Sequence, residues 1–149
     1  YMNACTGYKP IFSSSNFQFK INNYSIKGNK KLGNQIYSKL YILSKSNNDD
    51  LNARNINITI NLLKNKSGTV KNSAGKIIEY NISLDANIVL KDPLSNNEII
   101  NYQSTASSSY KVQDQHSETL KLENKTIENL IGVVYQNLLI KMSENVTTQ

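Results

Sequence analysis

Cysteine is reduced to one residue, Cys5, tryptophan is absent, and histidine occurs once, as His116. A lone cysteine excludes an internal disulfide, and with a single histidine it leaves no metal-ligand set of the usual nitrogen and sulfur kind. No apolar run approaches the ~20 residues that a bilayer-crossing helix needs. The glycines, among them Gly28, Gly33, Gly68, Gly75 and Gly132, fall in no phosphate-loop pattern. His116 has Asp114 and Ser117 for neighbours, but adjacent residues at a helix start point away from each other and cannot pair as base and nucleophile. The carboxylates are scattered along the chain. These absences argue against an enzyme, a bound cofactor or a metal.

Lys and Arg total 17 against 11 Asp and Glu, a net charge of +6. Such a balance favours acidic partners: nucleic acid, anionic headgroups or a phosphorylated glycan. The basic residues are almost all Lys and are spread out, with no Arg-rich run and no interleaved stacking aromatics, so nucleic acid is not expected as a partner.

At 149 residues the chain suits one domain with a single two-layer core. Residues 1–16 read as a leash and extended lead-in, 17–143 as the folded domain and 144–149 as a disordered polar tail. Phe17, Phe19 and Ile21 alternate with polar residues, a half-buried strand. Asn29 is placed to cap a helix in which Leu32, Ile36, Leu40 and Leu43 share one face. Gly33 costs that helix about 1 kcal/mol relative to Ala. Three period-two segments follow, around Ile56–Leu62, Ile78–Leu90 and Ile99–Lys111, joined by a polar stretch 64–76 and by the turn 92–97. Short connections predict an antiparallel meander.

From Ser117, a candidate cap, the period becomes helical, with Ile127, Leu130, Ile131, Val134, Leu138 and Met142 on one stripe to about Ser143. Gly132 is expected to permit a close approach to a neighbouring element. The order β-α-β-β-β-α, with one apolar face per strand, predicts an α+β two-layer sandwich. Its four-stranded, mostly antiparallel sheet carries both helices on one face.

Two local features carry functional meaning. Cys5 follows Met2-Asn3-Ala4, a residue of middling size at −3 and a small one at −1, the pattern read by bacterial lipoprotein signal peptidase. On this reading the chain starts close to its mature end and lipid on Cys5 is its membrane anchor; several acyl chains hold firmly where one binds marginally. The other reading is a free thiol near a terminus. The second feature is the stretch 64–76, with Lys64, Lys66, Lys71 and Lys76 and no acid. It is either a solubilising hairpin tip or one side of an anion site. In a meander the end of the third long strand returns to the same place, which brings Lys111 towards Lys71 and Lys76.

The chain resembles the LPS-assembly lipoprotein LptE family, in its alphaproteobacterial form. The resemblance is carried by Cys5-Thr6-Gly7-Tyr8-Lys9-Pro10-Ile11-Phe12 and by Glu79-Tyr80-Asn81-Ile82-Ser83-Leu84. A third part is Ser107-Ser108-Ser109-Tyr110-Lys111-Val112, followed by the helix start through Leu120 to Thr126. It implies a lipoprotein at the outer membrane that plugs the lumen of the LptD barrel and binds lipopolysaccharide during its export. It also implies ligand-binding basic residues in the hairpin before the Glu-Tyr strand and just before the second helix, here Lys71 and Lys111, with Lys76 beside them. The family's first position usually holds Arg; Lys71 keeps the charge without the bidentate fork. The alternative of another class is a stand-alone periplasmic lipoprotein that binds a different acidic ligand or acts as a secretion chaperone.

The lipidation reading is checked by intact-mass measurement of the protein from native membranes. The expected result is an acylated Cys5 at the mature N-terminus; an unmodified thiol rejects it.

Overall fold

The computed structural model describes residues 18–46 and 53–147. Its elements are β1 (Phe19–Gly28), α1 (Lys30–Lys45), β2 (Arg54–Lys71), β3 (Ile77–Lys91), β4 (Glu98–Lys111) and α2 (His116–Thr147). The sheet order is β1-β2-β3-β4. β1 runs parallel to β2, and β2, β3 and β4 form the antiparallel meander. This is the expected α+β sandwich.

Phase decides which face is covered. Ile56, Ile58, Ile60 and Leu62 on β2, and Ile82, Leu84, Ala86, Ile88 and Leu90 on β3, are all buried. Register pairs them directly, Ile58 with Leu90, Ile60 with Ile88 and Leu62 with Ala86, so the strands present one continuous apolar surface. The helices supply Leu32, Ile36 and Leu40 from α1 and Leu130, Ile131, Val134, Leu138 and Met142 from α2. Tyr80 and Ile127 join this core at its margin. α1 lies over β1, and α2 chiefly over β4. No described helix is long and apolar enough to cross a membrane.

Asn29 caps α1 as expected, its Oδ1 accepting from the Leu32 N–H at 3.0 Å. The start of α2 differs from expectation. The helix begins at His116, so Ser117 lies inside its first turn, and the Gln115 carbonyl accepts from the Glu118 and Thr119 N–H groups. The Thr119 hydroxyl in turn accepts from the Gln113 N–H at 2.7 Å, tying the preceding loop to the helix. At its far end α2 continues to Thr147, beyond Ser143. β1 extends past Ile21 to Gly28, with a register shift between Ile21 and Asn23 that the alternation does not reveal. Phe17 lies outside the described residues.

The two helical glycines exchange roles relative to expectation. A Cβ at Gly132 would meet nothing within 4 Å, so no close approach occurs there. A Cβ at Gly33 would lie 2.5 Å from Ile26 Cγ2 on β1 and 3.7 Å from Ile60 Cγ2 on β2. Gly33 therefore lets α1 settle onto the parallel pair, and its helix-propensity cost is the condition of that contact.

Opposite signs follow for the two alanine variants. Gly132→Ala is expected to stabilise by roughly 0.5–1 kcal/mol through helix propensity. Gly33→Ala is expected to destabilise by roughly 1–3 kcal/mol through overpacking. Urea denaturation of both variants checks this, and a stabilised Gly33→Ala would show that α1 does not sit on Ile26.

Candidate functional site

The β2–β3 hairpin closes one end of the sheet. The Asn72 N–H donates to the Lys76 carbonyl and the Gly75 N–H to the Asn72 carbonyl, both at 2.9 Å. The Asn72 side-chain oxygen accepts from the Ala74 and Lys76 N–H groups, also at 2.9 Å. Gly75 sits at φ +81°, the left-handed position that a three-residue hairpin loop assigns to glycine. A tight tip of this kind fixes where its flanking lysines emerge.

Lys71 ends β2, Lys76 leads into β3 and Lys111 ends β4. Register ties them to one end of the sheet: Lys71 pairs with Ile77, Glu79 pairs with both Val70 and Lys111, and the Val112 N–H donates to the Ile78 carbonyl at 2.9 Å. All three lysines are exposed. Among the described residues none of their ammonium groups takes part in an ion pair. Glu79, directly opposite Lys111, is the acid that tempers this basic end. Cys5 lies outside the described residues.

The other two lysines of the stretch 64–76 behave differently, because β2 continues as strand to Lys71 and the turn is only 72–76. Lys64 and Lys66 keep the even phase of Ile56 to Leu62 and so lie on the helix side. Lys66 Nζ is 3.0 Å from Glu123 Oε1 on α2, and the Tyr110 hydroxyl donates to the same oxygen at 2.8 Å. Lys66 Nζ also stands 4.5 Å from the Tyr80 ring centroid, and Tyr80 stacks on Tyr110 at 5.8 Å. One carboxylate thus fastens α2 to two strands at the margin of the core.

Burial works to raise the Glu123 pKa. Hydrogen bonds from Lys66 and Tyr110, with the charges of Lys66 and Lys64, outweigh it and hold the carboxyl below its ordinary value. The hydrogen bond to Glu123 raises Lys66 in return, while burial and then the same carboxylate raise Tyr110. Period two through Lys64 and Lys66 was the signal for this cluster. Beside it, a cleft of ≈ 350 Å³ between the helices is lined by Lys31 and Lys64 and by Glu123 and Glu128, a balanced set of charges.

No protein-family model matches the sequence, and no curated protein matches it. Solved structures do share its fold. Rare lipoprotein B from Shewanella oneidensis superposes with a TM-score of 0.57 at 15% identity, over 85% of this chain and 98% of that one. A minor lipoprotein from Acinetobacter baumannii gives 0.55 at 17% identity, over 85% and 94%. Lipoprotein B from Nitrosomonas europaea gives 0.55 at 15% identity, over 85% and 84%. The described chain therefore shares its fold with these lipoproteins.

The Glu123 cluster yields a pH test. A depressed carboxyl contributes stability above its unfolded pKa, near ~4.3, and loses it as pH falls through the lower folded value. Glu123→Gln is expected to cost about 1–2 kcal/mol at neutral pH, the lower part of the range for charged hydrogen bonds because Lys66 is 38% exposed. The gap between wild type and variant should close on acidification. A gap unchanged by pH in chemical denaturation would assign the loss to packing.

Proposed function

We propose that this protein is an outer-membrane lipoprotein, acylated at Cys5, that plugs an LptD-type β-barrel and binds lipopolysaccharide on its way to the cell surface. It works from the periplasmic face and within the barrel lumen, as a binding and assembly subunit and not as an enzyme. The observation that carries the reading is the free basic end of the sheet, where exposed Lys71, Lys76 and Lys111 crown a fold shared with envelope lipoproteins.

The physics of that end suits the ligand. Phosphate groups on a glycolipid are multivalent anions, and three ammonium groups on rigid strand ends attract them without first being drawn together. Lysine acts there as a point charge, so recognition is by charge and spacing. The narrow hairpin projects these charges beyond the core, while the lipid on Cys5 holds the chain at the membrane where the ligand travels. Plugging uses the shape of the whole sandwich and is insensitive to single surface charges.

Co-purification of the full-length chain with the barrel from native membranes tests the partner. The combined Lys71→Glu and Lys111→Glu variant tests the ligand. Exposed ion pairs contribute about 0.2–1 kcal/mol each, and reversal adds repulsion to the loss. Lipopolysaccharide affinity should therefore fall about tenfold, an effect that weakens as salt approaches roughly 0.1 M and screens beyond ~10 Å. The barrel complex should persist. Reversal of Lys20 and Lys31 is the control, and equal losses from both sets would reduce the site to net charge. A chain that binds lipopolysaccharide but never co-purifies with a barrel would be a stand-alone lipoprotein.

A further inference from the structure

The open face of the sheet, opposite the helices, carries a second cluster of polar side chains away from the basic end. Leu63 on β2 pairs with Asp85 on β3, and Asp85 pairs with Thr105 on β4, so the three form one row across that face. The neighbouring row is Asn61, Asn87 and Gln103. Strands stand about 4.8 Å apart and alternate residues about 6.7 Å apart along each, so the two rows share a patch about 10 Å across. Together they line a shallow depression of ≈ 280 Å³.

Asp85, half-buried, is the only charged residue in these rows. The Thr105 hydroxyl donates to its Oδ1 at 2.7 Å and the Asn65 amide to its Oδ2 at 3.5 Å, which orients the carboxylate and leaves lone pairs open on both oxygens. Among the described residues no lysine or arginine pairs with it. Asn61 and Gln103 make no side-chain hydrogen bond to any described residue, so both amides keep their donors and acceptors open. Leu63, 51% exposed, interrupts the Asn and Thr series of β2 on this face and sets an apolar surface beside the carboxylate.

We propose that this depression binds one pyranose ring of an uncharged saccharide. Neighbouring ring hydroxyls donate to Asp85, the Asn61 and Gln103 amides exchange hydrogen bonds with others, and Leu63 covers C–H groups of the ring. Other ligand classes match the site less well. An anion is repelled by Asp85. A metal ion finds a single carboxylate, since among the described residues no three His, Cys, Asp or Glu side chains converge. A hydrocarbon chain would bury the open amides without partners, at a cost in free energy. The size, just below the ~300–1,000 Å³ typical of small-molecule sites, suits a single ring. Such a ring has two sources: the sugar chain of a lipopolysaccharide whose phosphates lie at Lys111, about 20 Å along β4 from Thr105, or a glycan of another kind. The first source rests on the function proposed above; the site itself does not.

The test titrates the full chain with glucose, galactose, mannose and N-acetylglucosamine in turn, at millimolar concentration, while NMR records its amide chemical shifts. At least one sugar should shift the Leu63, Asp85, Gln103 and Thr105 amides saturably. Asp85→Asn should weaken that sugar about tenfold through loss of the charged acceptor. Leu63→Asn, which restores the polar series of β2, should weaken it too, and carries the test if Asp85→Asn fails to fold. Lipopolysaccharide then identifies the source. A loss of its affinity in Asp85→Asn assigns the ring to its sugar chain, and an unchanged affinity beside lost sugar binding assigns the ring to another glycan. The basic end is tested by its own charge reversal, so either site can fail alone. No saturable shift with any of the four sugars overturns the proposal. So do shifts confined to other residues, or binding that survives both Asp85→Asn and Leu63→Asn.

Discussion

One constraint underlies the rest of the structure: the even positions of β2 and β3 share a single apolar face in register. Because Ile58 meets Leu90 and Ile60 meets Ile88, the apolar surface is continuous across strands and both helices have one place to go. A slip of one residue would turn every isoleucine to solvent and bring Asn, Thr and Ser under the helices. The opposite face is correspondingly polar, held by side-chain bonds such as Asn87 to Asn101 at 3.0 Å and Thr105 to Asp85 at 2.7 Å. It needs no cover, as antiparallel sheets allow.

The same phase separates the lysines of β2 into two kinds. Lys64 and Lys66 extend the helix-facing series beyond the last buried leucine, where the core gives way to water. There Lys66 keeps its ammonium group in reach of Glu123 and Tyr110 while its stem passes the Tyr80 ring, an amphipathic use of lysine at the rim. Lys71 lies past the register shifts of β2 and escapes this arrangement. One short segment thus supplies both a fastening for α2 and part of an exposed basic end, and only the strand phase tells the two uses apart.

Most of the architecture was legible in the sequence because its signals are periodic. The long alternation from Ile78 to Leu90 and the stripe from Ile127 to Met142 each repeat often enough to fix element type and buried face. The Asn29 cap was legible because its chemistry is local. What failed was single-residue inference that depends on a neighbour distant in sequence. Gly33 and Gly132 look alike in their helices, and only the position of Ile26 on β1 distinguishes them. The α2 start was misplaced by two residues: the helix begins at His116, Ser117 lies inside its first turn, and the Gln115 carbonyl takes the first helical bonds, from Glu118 and Thr119. At the basic end, the shared location of Lys71, Lys76 and Lys111 followed from meander topology, whereas the Glu123 contact crosses from β2 to α2 and leaves no trace in composition.

The parallel pairing of β1 with β2 bears on the order in which this chain assembles. β2, β3 and β4 are joined by short turns, so their contacts close small loops and form early. β1 precedes the other described strands in the chain, yet β2, its sole neighbour in the described sheet, follows only after the whole of α1 and the connection behind it. Among the described strands, β1 is thus the one whose pairing spans the longest connection, across the whole of α1. Gly33, at the point where α1 meets Ile26, is where the helix closes over that parallel pair.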